Sequence, residues 1–127
     1  MNANKKFSLA QRLVSIVNAL RGIVYLVRTQ HNAWIHLVAM LLVFAMGAAF
    51  RLSSWEWCCL ILCFMAVWSA EALNTALELL CDVVSPEFHP MVGKAKDIAA
   101  GAVLIAAIGS ASIGAILLIP RLIAIAK

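Results

Sequence analysis

Charge is what this sequence has least of. Only 13% of its 127 residues are Asp, Glu, Lys or Arg, against 65% hydrophobic ones, and the mean hydropathy is +0.98. So little charge over so much apolar surface excludes a domain that folds in water and marks an integral membrane protein, with residues 1–127 forming one domain. No basic patch is interleaved with aromatics, so the net charge of +4 reads as membrane orientation and anionic-headgroup contact, with no nucleic-acid partner. Paired cysteine spacing is missing too. Cys58, Cys59, Cys63 and Cys81 share one apolar segment and are expected to be reduced packing residues, not zinc or redox ligands. The N-terminus runs straight into an amphipathic segment, without a short apolar core and small-residue cleavage site, so no cleavable signal is expected. There is neither a Gly-x-x-x-x-Gly-Lys-Ser/Thr loop nor a protein-kinase signature.

What remains reads as an all-α membrane protein, an N-terminal interfacial amphipathic helix followed by three transmembrane helices. Residues 1–6 are polar and basic and are expected to be mobile. Over 7–28, Leu9, Leu13, Ile16, Val17, Leu20, Ile23, Val24 and Val27 recur at helical spacing while Arg12, Arg21 and Arg28 take the other face. The spans are expected at 33–50, 57–82 and 97–119. Ser54 is a candidate N-cap after the turn at Arg51, Trp55 and Trp57 are candidate interfacial anchors, and Pro120 is expected to end the last span. Residues 84–93, with two prolines and a glycine, form the long connection. In the last span Ala102, Ala106, Ser110 and Gly114 repeat every four residues, which lets helices approach closely. Lys5, Lys6, Arg12, Arg21, Arg28, Lys94 and Lys96 fall on one side and Arg51, Arg121 and Lys127 on the other, placing the N-terminus and the 84–97 segment in the cytoplasm.

The residues that do not belong in such a setting are concentrated in one place. Glu71, Asn74, Glu78 and Asp82 sit in the second span, and at 100° per residue they point within about 80° of one another. A single polar residue there would glue helices, but three acids on one face repel unless a cation is shared. Ionisable groups at membrane depth normally face a bundle interior or wet cavity and mark function. Asp82 lies near the cytoplasmic boundary, with Glu78 about 6 Å and Glu71 roughly 16 Å deeper. Carboxylates beside Lys96 and the basic helix are suited to hold a divalent cation and a polyphosphate, the equipment of phosphoryl transfer. Desolvation strengthens a buried carboxylate as a base, and Glu71 fits that role by depth. Glu78, nearer the charged mouth, fits a Mg²⁺ ligand. His36, within the first span, reads as a packing residue.

The run Glu71-Ala72-Leu73-Asn74-Thr75-Ala76-Leu77-Glu78, with Asp82, His89 and Ala95-Lys96-Asp97-Ile98-Ala99-Ala100-Gly101-Ala102-Val103, resembles the small prokaryotic membrane lipid kinases that act on diacylglycerol or undecaprenol. That resemblance covers nearly the whole chain. It implies a homotrimer with active sites shared between subunits, in the bacterial cytoplasmic membrane, with ATP as phosphoryl donor and Mg²⁺ as cofactor. It further implies Glu71 as proton acceptor, Glu78 as metal ligand, and Glu87, Phe88, His89, Lys96 and Asp97 as nucleotide contacts. Ala100 falls on a position near the lipid, Asn74 and Asp82 on other polar positions, and Arg12 on an N-terminal nucleotide contact. Where the family commonly has a second metal-binding glutamate, this chain has Gln30, which offers a carbonyl oxygen without charge. The stretch Arg28-Thr29-x-x-Asn32-x-x-Ile35-His36 is more similar to the undecaprenol branch. The expected function is therefore an ATP-dependent lipid kinase, with undecaprenol preferred and diacylglycerol the alternative. Two non-enzyme readings stand beside it. One is a small channel or transporter subunit whose acid stripe binds a cation, and the other an interaction subunit assembling through the last span.

Overall fold

The computed structural model describes Ser8–Lys127; the expectation for residues 1–6, the lysines at 5 and 6, and the start of the first helix at Phe7 lie outside the described residues. The described chain is all helical: α1 (Leu9–Thr29), α2 (His31–Ala49), α3 (Ser54–Val84) and α4 (Pro90–Ile125). Each is long and apolar enough to cross a membrane. Helix α3 is the spine: it packs against each of the others and most extensively along α4. Large apolar side chains such as Leu13, Ile35, Leu62 and Ile105 point outward from all four helices, as expected where lipid or protein, not water, surrounds the bundle.

Several boundaries differ from the pattern-based ones for local reasons. Gln30 alone interrupts α1 and α2, with extended backbone, so the helix that carries the expected first span begins at His31. The N-cap of α3 is Ser53, not Ser54. Its hydroxyl accepts from the Glu56 backbone N–H, and the Glu56 carboxylate accepts from the Ser53 N–H, a reciprocal capping box. The connection after α3 is only Ser85–His89, because Pro90 occupies the first helical position, where its missing N–H has no intrahelical partner to lose, and His89 caps with Nδ1 accepting from the Met91 N–H. Lys94, Lys96 and Asp97 therefore lie within α4 and do not open it. Nor does Pro120 end α4. It removes one backbone donor, but Arg121 donates to the Leu117 carbonyl at 2.6 Å and to Glu56 at 2.8 Å, tying the following turn to the start of α3.

The tightest packing lies at that end. Leu52, Leu60 and Leu118 are buried with Val43, Phe44 and Trp57 around them. Trp57 turns inward and meets Phe44 edge-on, centroids 5.4 Å apart, leaving Trp55 as the exposed member of the expected interfacial pair. Gly47 makes this approach possible, since an added Cβ would sit 3.1 Å from both Leu52 and Trp57. Midway along, the Ser110 hydroxyl donates to the Cys63 carbonyl at 3.2 Å and pins α4 to α3. Ser110 and Gly114 of the small-residue repeat face inward, whereas Ala102 is exposed, because the packed row of α4 passes through Val103 and Leu118 instead.

Candidate functional site

On α3 the polar residues recur at intervals of three and four, which places them on the side that α2 and α4 cover. Glu71, Asn74 and Glu78 line a cleft of about 350 Å³ with Asn32, Ile35 and His36 of α2 and Ala100, Val103 and Ala107 of α4. Three of the four stripe residues are thus brought together. The fourth, Asp82, is exposed at the end of α3, where the short Ser85–His89 connection brings it alongside Lys96; the ammonium donates to Asp82 Oδ1 at 2.5 Å. Lys96 precedes the apolar part of α4, and its hydrogen bond to Asp82 raises its pKa above the ordinary lysine value.

Inside the cleft, Asn74 Nδ2 donates to Glu78 Oε1 at 3.0 Å, one helical turn apart. Glu71 is only 2% exposed, Thr75 4% and Asn74 8%. Glu71 Oε2, Asn74 Oδ1 and Thr75 Oγ are nonetheless buried without a hydrogen-bond partner in the protein. Buried polar atoms are paired in the great majority of cases, because leaving one unpaired costs about 1–3 kcal/mol. Two of these oxygens, Glu71 Oε2 and Asn74 Oδ1, belong to residues of the cleft wall and mark a place built to receive a donor from outside the chain's own fold, whereas Thr75 belongs to a different hollow. His36 lines the same cleft as Glu71 and is not merely a packing residue.

The remaining expected residues fall in three positions. Ala100 is in the cleft wall. Glu87, Phe88 and His89 form the exposed connection at the same end as Asp82 and Lys96, with the Glu87 carbonyl accepting from Ser85 Oγ at 3.1 Å, and Asp97 is exposed next to Lys96. Arg12 and Gln30 are not in the cleft wall. Arg12 is on the exposed face of α1, and Gln30 is half-buried in the break before α2, two residues from the wall residue Asn32. Helix α1 instead lines a separate hollow of about 320 Å³ against α3, onto which Thr75 opens. Among the described residues, no three His, Cys, Asp or Glu side chains gather as metal ligands. The hard oxygens of Glu78 and Asn74, one of them unpartnered, nevertheless suit a hard cation.

Sequence analysis does not single out Asn32 or His36 as cleft residues, nor Thr75 as a buried, unpartnered one. Thr75 stands beside Asn74 in the motif, and His36 and Asn32 are four apart on one face of α2, so helical spacing held the signal.

The prokaryotic diacylglycerol kinase family model matches residues 17–118. An undecaprenol kinase of Bacillus subtilis (strain 168) is 39% identical over 108 residues, covering 85% of this chain and 88% of that protein. A diacylglycerol kinase of Synechocystis is 38% identical over 114 residues, 89% of this chain but 65% of that protein. A diacylglycerol kinase of Escherichia coli (strain K12) is 46% identical over 44 residues, 35% of this chain and 36% of that protein. A match on this scale sets aside the channel and interaction-subunit readings. The chain belongs to the prokaryotic diacylglycerol kinase family and is a lipid kinase of the membrane.

Proposed function

We propose that the protein transfers the γ-phosphoryl group of ATP to the hydroxyl of undecaprenol, with diacylglycerol the second choice, at the cleft lined by Glu71, Asn74 and Glu78. The observation that carries this reading is the pair of unpartnered buried oxygens, Glu71 Oε2 and Asn74 Oδ1, on residues lining a cleft whose wall residues Glu78 and Ala100 lie one helical turn from Asp82 and Lys96. Undecaprenol is preferred because the similarity to the Bacillus subtilis undecaprenol kinase runs over most of both chains.

In this reading Glu71 accepts the proton of the lipid hydroxyl as that oxygen bonds to the γ-phosphorus and the bond to the departing ADP breaks. Burial excludes water from the carboxylate and favours attack by a hydroxyl delivered from the lipid side. Glu78, with the amide oxygen of Asn74 and with Gln30 from the break before α2, would hold Mg²⁺. When bound, the ion neutralises phosphate charge. Asn74 fixes the Glu78 carboxylate through its 3.0 Å hydrogen bond. Lys96 exchanges Asp82 for a phosphate oxygen, and Glu87, Phe88, His89 and Asp97 lie where they contact the nucleotide. Ala100 keeps the wall small where the lipid passes.

The rest of the proposal concerns assembly and placement. The protein works as a homotrimer in the bacterial cytoplasmic membrane, N-terminus and cleft mouth toward the cytoplasm, with α1 lying in the interface and α2 to α4 crossing. Arg12 serves as a nucleotide contact, and because α1 lines no part of the cleft in its own chain, a site completed by a neighbouring subunit is supported.

The test is Glu71→Gln in purified protein in mixed micelles with labelled ATP, Mg²⁺ and undecaprenol. The variant keeps shape and hydrogen bonding but lacks the base, so lipid phosphorylation should fall by about 10² to 10⁴ while the assembly stays folded. Near-normal turnover at saturating substrates would remove Glu71 from the chemistry.

A further inference from the structure

A second, larger hollow of about 420 Å³ lies between α2, α3 and α4, toward the end where Glu56 meets Arg121. His36 and Ala107 line both it and the acid cleft, so the two adjoin, and together they form a path that is polar at the Glu71 end and apolar beyond these two shared residues. Phe44, Phe64 and Trp68 give the apolar part an aromatic wall, with ring centroids 6.4 Å apart for the first pair and 5.4 Å for the second. The Trp68 indole N–H is buried without a hydrogen-bond partner.

We infer that this groove seats the hydrocarbon chain of the lipid whose hydroxyl reaches Glu71, and that its aromatic wall makes it a selector for one unsaturated, methyl-branched chain over paired saturated acyl chains. The inference rests on the reaction proposed for the cleft.

Three features argue for it. Adjacency is the first: a hydroxyl at Glu71 puts the following carbons at His36 and Ala107 and the next few isoprene units between Phe64 and Gly114, with the remainder of the chain left to the bilayer. Number is the second. The hollow falls within the roughly 300–1,000 Å³ of a small-ligand site. The hollow between α1 and α3 shares no wall residue with either part of the path and offers no second seat beside the first. Chemistry is the third. Aromatic faces and an unpaired indole N–H offer edge and N–H to π contacts that isoprenoid double bonds accept and a saturated chain does not. Leaving that N–H unpaired disfavours the saturated chain further.

Gly114 provides the means of testing this, because an added Cβ there meets nothing within 4 Å and a larger side chain would grow into the groove without clashing with this chain. Full-length wild type, Gly114→Leu and Trp68→Leu would be compared in mixed micelles with ATP and Mg²⁺, with undecaprenol and dipalmitoylglycerol competing. Gly114→Leu should lower the undecaprenol-to-diacylglycerol ratio of kcat/KM roughly tenfold through KM for undecaprenol, the scale of pocket discrimination by a few carbons. Trp68→Leu should lower it in the same direction. A prenol carrying a diazirine in its second isoprene unit should crosslink wild type at residues of α2 and α4 that wall the groove, and Gly114→Leu should lose that label. A ratio unchanged within about twofold in folded variants, or crosslinks outside the groove, overturns the inference. Dissociation of the oligomer by Gly114→Leu overturns it as well, because a second copy of the chain would then be the occupant. Crosslinks in the groove without phosphorylation of either lipid leave the groove standing and remove the reaction proposed for the cleft.

Discussion

Asn74 donates one amide hydrogen to Glu78 and keeps its carbonyl oxygen buried and unpaired, so it presents an acceptor to the cleft while holding a carboxylate in place. A hard cation at Glu78 would complete that arrangement, and Gln30 tests it. Gln30→Glu adds an anionic oxygen, and a gain of about 1.4 kcal/mol in metal binding would lower the half-saturating Mg²⁺ concentration roughly tenfold. Lipid phosphorylation across a Mg²⁺ titration at fixed free ATP reads this directly; an unchanged curve places Gln30 outside the metal shell. At this scale the sequence was most legible where charge contradicted its surroundings. Glu71, Asn74 and Glu78 stood out because acids at helical spacing in an apolar run need a reason. Thr75 and His36 did not, since a hydroxyl and an imidazole on an apolar helix are commonly satisfied by packing; only the fold reveals that Thr75 is unpartnered and that His36 lines the cleft with Glu71.

Between elements, the end of the bundle away from Lys96 is held by the Ser53–Glu56 capping box and by Arg121 reaching back across it. Glu56 precedes the apolar part of α3. Its hydrogen bonds from the Ser53 backbone and side chain, then Arg121, lower its pKa from the ordinary 4.5. A carboxyl lowered on folding contributes stability above its unfolded pKa, and the contribution disappears as pH falls through the lower folded value. Melting temperatures of wild type and Glu56→Gln in detergent should therefore differ most at neutral pH and converge on acidification below about pH 4.5. Equal spacing of the two curves at every pH would show that Glu56 does not titrate differently in the folded protein. The same end predicts that Gly47→Val, pressing on Leu52 and on a Trp57 ring braced by Phe44, costs about 1–3 kcal/mol and lowers the melting temperature without altering the cleft. The tie explains why helix ends were poorly legible. Proline rules rightly say that Pro120 removes a donor, but a long-range partner at Glu56 holds the next turn, and no local pattern records a contact 65 residues away.

For the molecule as a whole, α1 lines no part of the cleft and many apolar side chains point outward, and the proposed sharing of active sites between subunits can be tested directly. Inactive Glu71→Gln subunits mixed with inactive Lys96→Ala subunits should regain part of the phosphorylation only if the two groups of one site come from different chains. No recovery in oligomers shown to be mixed would mean that both groups come from one chain. The cysteines of α3 carry a different consequence. Cys58 and Cys81 are separated along one continuous helix by about 35 Å at 1.5 Å per residue, more than the roughly 30 Å of bilayer hydrocarbon. On the proposed topology the two thiols lie at opposite faces of the membrane, with Cys59 and Cys63 between them as steps of a natural chemical ruler. A membrane-impermeant maleimide should label Cys58 on intact spheroplasts and Cys81 only in inverted vesicles, and the reverse pattern would turn the protein over in its membrane.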